Sequence, residues 1–220
     1  FYAESLKESA VDTNKAYIFG DTADAARGFH LAEMIQQHQI DVYSLNQNIT
    51  VNGVPFEKEK AYIVPLNQPQ YKLIKAIFET RNTFQDSLFY DVSAWTLPMS
   101  FNLDYTALSS KIMNLADVTL LEEGFGQKAG TLIGEKNAYA YAFEWADYYA
   151  PKAAYKLMDE GYLVRLTHEP ITLADGKVLK RGSILVSTQR DAEEDAATKL
   201  HSSLASLAAE TGITVYGINT

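Results

Sequence analysis

The 220-residue chain has no cysteine, and proline (6), histidine (4) and tryptophan (2) are scarce. The missing cysteine excludes disulfides, thiolate metal sites and thiol nucleophiles together. No stretch approaches the roughly 18 consecutive apolar residues that cross a bilayer, so no membrane span is expected. There is also no block of lysine and arginine. Lys+Arg total 19 against Asp+Glu 28, a formal charge of −9, and nucleic acid and anionic membrane surfaces are excluded as partners because both are held by clustered positive charge. The chain opens Phe1-Tyr2-Ala3-Glu4-Ser5 without a basic segment followed by an apolar one. Residues 1–15 are expected to be a linker from an upstream domain.

What is present is a folded composition. Hydrophobic residues make up 47% of the chain, and a chain of this length buries about 70% of its unfolded surface. Ala16-Tyr17-Ile18-Phe19-Gly20 reads as a buried strand, followed by a helix with Gly28, Leu31, Ala32, Met34 and Ile35 on one side. Asp41-Val42-Tyr43-Ser44-Leu45 is a second strand, Asn52-Gly53 a hairpin turn, and Ala61-Tyr62-Ile63-Val64-Pro65 a third buried strand. A helix opens at Pro69, and Trp95 to Phe101 forms a turn of helix after an extended stretch from Ser87 to Ser93. Asp117 to Leu121 is a further strand.

The second half resumes with a strand from Tyr139 to Trp145, a helix from Tyr149 ended by Gly161, and a strand from Tyr162 to Leu166. A hairpin at Asp175-Gly176 and a strand from Ser183 to Ser187 follow. A helix capped by Asp191 then runs to Gly212, and a strand from Ile213 to Gly217 closes the chain. Apolar strands alternating with helices predict an α/β domain over residues 16–220, with a mostly parallel sheet and helices on both faces. No internal repeat is expected.

Four constellations could carry chemistry. His30-Leu31-Ala32-Glu33 has the H-x-x-E spacing of a zinc site, with His168 as a distant third ligand, but His30 and Glu33 share the polar side of a helix, where such neighbours are ordinary. His38 and His201 have no recruiting partner. Ser93 sits where a strand passes into a short helix, as in a nucleophile elbow, yet Asp91 and Trp95 stand where that turn needs glycine, so a capping role is expected. Gly124, Gly126, Gly130 and Gly134 are spaced unlike a dinucleotide loop and follow Glu122-Glu123, which would repel a phosphate, so they read as a flexible loop. Lys136 lacks the context of a phosphate-binding lysine.

The fourth is Glu144-Trp145-Ala146-Asp147-Tyr148-Tyr149, at the carboxyl end of a strand, where open α/β sheets place their ligand crevices. Glu144 could hold a hydroxyl or an amine beside a wall of Trp145 and Tyr148. Against this, Asp147 could cap the next helix. Asp21, Asp91, Ser93 and Trp95 end other strands and would share the crevice.

The segments AYIVPLNQPQYKLIKAIFETRNTFQDSLFYDVSAWTLPMSFNLDY and AYAFEWADYYAPKAAYKLMDEGYLVRL resemble the C-terminal region of bacterial zinc carboxypeptidase-like proteins. In that family a metallopeptidase domain precedes a flavodoxin-like domain similar to class I glutamine amidotransferases. The resemblance covers about Lys15 to Thr220. It implies that zinc and the catalytic residues belong to the preceding domain, Arg81-Asn82 being the one adjacent pair of the substrate-binding kind and in reverse order here. Amidotransferase chemistry needs a cysteine nucleophile, which this chain lacks.

The expected function is therefore a noncatalytic accessory domain packed on an upstream peptidase domain of the same polypeptide, without a cofactor of its own and exported to the periplasm or cell exterior. The alternatives are a module binding a small polar ligand or a peptide end at Asp21, Asp91, Ser93, Trp95, Glu144, Trp145 and Asp147, and a serine hydrolase using Ser93. Oligomeric state is left open.

Overall fold

The computed structural model describes residues 2–80, 96–114, 116–188 and 195–219. The chain is built as two compact units, residues 1–126 and 127–220. The first contains α1 (Tyr2–Val11), β1 (Asn14–Gly20), α2 (Ala25–Gln37), β2 (Tyr43–Leu45), β3 (Ile49–Val51), β4 (Val54–Phe56), β5 (Ala61–Pro65), α3 (Tyr71–Phe78), α4 (Leu97–Ser100), β6 (Asp104–Ser109), α5 (Ser110–Met113) and β7 (Val118–Leu120). The second contains β8 (Thr131–Ile133), β9 (Ala140–Phe143), α6 (Ala150–Asp159), β10 (Val164–Leu166), β11 (Ile171–Thr172), β12 (Val178–Leu179), β13 (Ile184–Ser187), α7 (Ala196–Thr211) and β14 (Thr214–Ile218). Helix α1 thus occupies most of the stretch that reads as a linker.

The strands and hairpins that the apolar pattern predicts within the described residues are present, with β6 and β8 in addition, but the sheets are not mostly parallel. The first sheet runs β6-β1-β5-β2-β7, with every neighbouring pair antiparallel. The second runs β10-β13-β9-β14-β8, and only β14 with β8 is parallel. The reason lies in where each crossover lands. Helix α2 does connect strands of the same direction, β1 and β2, but β5 inserts between them and pairs antiparallel with both. Likewise α6 joins β9 to β10 with β13 between them. This is the split β-α-β plan, β-α-β-β-α-β with the fourth strand outside the first.

Both units follow that plan, and they match at the level of register. Tyr17 faces Val64, Ile18 faces Ile63 and Phe19 faces Tyr62 in the first; Tyr141 faces Val186, Ala142 faces Leu185 and Phe143 faces Ile184 in the second. The match extends to backbone bonds outside the ladders. Leu66 N–H donates to Lys15 C=O as Thr188 N–H donates to Tyr139 C=O, and Glu59 N–H donates to Leu45 C=O as Gly182 N–H donates to Thr167 C=O. Each unit also inserts a hairpin at the same point, with Ile49 facing Phe56 and Ile171 facing Leu179. On the crossover helices, buried Gly28, Leu31, Ala32 and Ile35 correspond to buried Ala150, Ala153, Ala154 and Leu157. The chain therefore contains an internal repeat, contrary to the sequence reading.

The longer helices cover one face of each sheet, and on the other face of the first the short α5 sets Ile112 and Met113 beside the hairpin. In the first unit Tyr17, Phe19, Tyr62 and Val64 pack under Leu31, Ile35, Ile74 and Phe78, while Ala16, Ile18 and Ile63, pointing the other way, pack under Val51 and Phe56 of the hairpin. In the second, Tyr141, Phe143 and Val186 meet Leu157, Leu204 and Leu207, and Ala140 and Ala142 lie under Leu179. A strand's period of two sends alternate side chains to opposite faces, and the hairpin takes the place of a second helical layer.

Polar contacts fasten helix ends. Asp12 closes α1 onto α3: burial pushes its carboxyl up, but bonds from Asn14 N–H, the Tyr71 hydroxyl and Lys75 Nζ outweigh this and hold it below the usual carboxylate range. In the second unit Glu210 of α7 receives Lys152 and Lys156 of α6 at 2.8 and 2.9 Å, which lowers its carboxyl to about 2.

Gly130 and Gly134 are packing positions, not flexible loop. A Cβ on Gly130 would lie 1.9 Å from Ile213 C=O, and one on Gly134 would lie 2.8 Å from Gly217 Cα. Glycine is required there because β8 and its approach run against β14.

Because each core cluster draws on one unit alone, residues 127–220 expressed alone should unfold cooperatively on heating. Leu204→Ala, which empties a fully buried position in that unit, should lower its stability by about 2–5 kcal/mol in denaturant titration.

Candidate functional site

The first strand of each unit ends in a turn that carries carboxylates, and the local reasons are steric. Strand β1 ends at Gly20, where a Cβ would stand 2.6 Å from Lys60 C=O. The chain then turns into α2. Asp21 Oδ1 accepts from Ala23 N–H at 2.7 Å, and Asp24, buried as the N-cap, accepts from Ala26 N–H at 2.9 Å and holds Arg27 Nε at 3.0 Å. From the far side of the turn Lys60 Nζ donates to Thr22 C=O at 2.7 Å and pairs with Glu57 at 2.8 Å. Gly28 lets α2 lie against the Tyr62 ring, whose burial raises its hydroxyl to about 12.

A cleft of about 350 Å³ opens beside this turn, lined by Asp21, Met99, Asn102, Leu103 and Asp104. Gly20 and Asp104 are register partners, so pairing of β1 with β6 brings the two aspartates to one end of the sheet. Asn102 enters β6 with φ 54°, a left-handed conformation that asparagine tolerates better than most residues. The lining offers carboxylate oxygens, an amide and two apolar side chains, a surface suited to a small polar or cationic group. Sequence reasoning named Asp21 but missed Asn102 and Asp104, because nothing in the pattern marked β6 as the neighbour of β1.

In the second unit the corresponding turn follows β9. Glu144 Oε1 accepts from Lys180 N–H at 3.3 Å. Trp145 and Tyr148 are about half exposed, and Tyr148 meets Tyr149 edge to face with centroids 4.9 Å apart. Asp147 contributes its backbone carbonyl to Ala150 N–H at the start of α6, and Lys152 Nζ lies 5.6 Å from the Tyr149 ring centre. The residues expected to share one crevice are distributed over both units. Asp21 belongs to the first unit and Glu144, Trp145 and Asp147 to the second, while Asp91, Ser93, Trp95, Arg81, Asn82 and Asp191 lie outside the described residues.

The H-x-x-E pair is an i,i+3 contact on α2, with His30 Nδ1 3.5 Å from Glu33 Oε2, and His168 belongs to the other unit. Among the described residues no three His, Asp or Glu side chains are grouped to hold a metal. Gln36, which the sequence left unremarked, donates from Nε2 to Leu121 C=O and Glu122 C=O and holds the segment after β7. In comparisons with protein-family models, curated proteins and solved structures, nothing matches this chain. No helix among the described residues is long and apolar enough to cross a membrane.

Asp24→Ala should cost about 0.5–2 kcal/mol, since it removes a buried cap and leaves Arg27 without this partner. Asp21→Ala, at a more exposed turn, should cost less. Chemical denaturation of the two variants checks the order.

Proposed function

We propose that the chain is a noncatalytic α/β module, accessory to a zinc carboxypeptidase-like peptidase domain. The long-segment resemblance supplies the family. The observation that carries the noncatalytic role is what the strand-end carboxylates do: Asp21, Asp24 and Glu144 each accept a backbone N–H of the turn or hairpin beside them. A carboxylate in that role organises the main chain, and its charge is partly spent before any substrate arrives. The flavodoxin-like label that accompanies the resemblance is not part of the proposal, because the strand pairing differs. The test is an assay of the 220-residue chain, with added zinc, for release of C-terminal residues from peptides. None above the blank is expected; release that a chelator abolishes and zinc restores would overturn the reading.

A second reading, that the chain binds a small polar ligand or peptide end, is favoured by the cleft at Asp21, Asn102 and Asp104. Peptides with a free amino end are the appropriate probes for that acidic lining. Calorimetry should show heat that Asp104→Asn diminishes, and absence of heat with every probe would sink this reading.

A further inference from the structure

The two units place their fifth strands on different edges. In the first, β7 pairs antiparallel with β2, so the outer side of β2 is covered. The covering continues past the strand: Leu121 N–H donates to Val42 C=O, Gln36 holds the carbonyls of Leu121 and Glu122, and Phe125 packs edge to face on Phe29 at 5.2 Å. Val42 is fully buried as a result. In the second unit β10 corresponds to β2, and it ends the sheet with no strand beside it among the described residues.

The β10 edge is arranged to receive one. Thr167 N–H donates inward to Ser183 C=O and Arg165 is the register partner of Leu185, so by the alternation of an antiparallel ladder the N–H and C=O groups of Val164, Leu166 and His168 face outward. Val164, the counterpart of Val42, is only partly buried. The flanking helix has changed character in step. Where α2 presents Phe29 and Gln36 to the covering segment, with Glu33 one turn from each, the corresponding positions of α6 are Pro151, Met158 and, for Glu33, Tyr155, with Tyr155 71% and Met158 53% exposed. Leu166 is 57% exposed beside them. On the opposite side the α6 lysines 152 and 156 are engaged by Glu210 of α7, which leaves the Tyr155–Met158 side directed away from α7.

We infer that the β10 edge is a docking site for an extended segment of another polypeptide, which adds to the sheet antiparallel to β10 and lays apolar side chains against Leu166, Tyr155 and Met158. The occupied edge of the first unit sets Leu121 against Val42, and the exposed side chains of β10 itself, Arg165 and Leu166, define the rest of the segment's chemistry. Residues opposite Val164 and Leu166 are apolar and point to the helical side; the residue between them, opposite Arg165, points to the other side and is acidic. A second copy of the chain meets this demand poorly, because β10 itself carries an arginine between its apolar residues. The inference does not depend on the peptidase assignment.

The chain contains a natural probe, the segment that covers β2. A synthetic peptide of residues 116–126 should bind the intact 220-residue protein and slow amide exchange at Leu166 and His168 by about tenfold or more, a protection expected when an exposed edge becomes paired. The same peptide carrying Leu120→Glu should bind about two- to fivefold tighter, an advantage lost in high salt and reversed by Arg165→Glu in the protein. Leu166→Pro removes an outward donor without touching the bonds to β13, so the protein stays folded and peptide binding falls about tenfold or more. Unchanged exchange at Leu166 and His168 with peptide in excess overturns the inference. So does concentration-dependent dimerisation that Leu166→Pro abolishes, since the edge would then be filled by a second copy.

Discussion

Each unit depends on a strand that enters between two others already joined by a helix. Strand β5 fills the gap between β1 and β2, and β13 the gap between β9 and β10. These pairings bring Tyr17 onto Val64 and Tyr141 onto Val186 beneath the helices, and the fully buried side chains of the two sheets gather around them. Without the inserted strand the crossover-linked strands would stand apart, each with an unpaired row of backbone groups, and the helices above would have no floor to cover. The gap is reached by a hairpin excursion in both units, so the same detour that delivers the strand also shields the second face.

Much of this was legible in the residues. Ala16-Tyr17-Ile18-Phe19 and Ala61-Tyr62-Ile63-Val64 announced strands buried on both sides, Asn52-Gly53 and Asp175-Gly176 announced hairpins, and Gly161 and Gly212 stopped helices where glycine's left-handed backbone is wanted. What the pattern could not carry was adjacency. A helix between two strands sets their relative direction, and it leaves open whether a third strand comes between them. Strand β6 and the parallel strand β8 escaped notice for a related reason: Asp104–Ser109 is only half buried and Thr131–Ile133 has three residues, so neither shows a clear apolar run. The repeat was hidden because its halves preserve geometry more than identity. Ile18 corresponds to Ala142, Leu31 to Ala153, and Gln39, at φ 59°, to Gly161 at φ 87°.

The site was legible in part. Asp21 and Glu144 were found from their place at strand ends, and both do stand there. The backbone groups they accept from were not, because a sequence does not show which N–H a carboxylate will meet. Those donors are Ala23 and Lys180, and the second lies thirty-six residues from its acceptor. Asn102 and Asp104 reach the cleft through a pairing of distant strands, and no local spacing encodes that.

The hairpins differ by one residue in their turns. Asn52-Gly53 closes the first, whereas Ala174-Asp175-Gly176 intervenes between the equivalent partners of the second, and the run from Leu179 to Ser183 is one residue shorter than that from Phe56 to Ala61. The two changes cancel before the next sheet strand begins, leaving its alignment undisturbed. The excursion therefore behaves as a slack loop in a taut weave: its tip can lengthen, shorten or accept foreign sequence while the threads beneath keep their places.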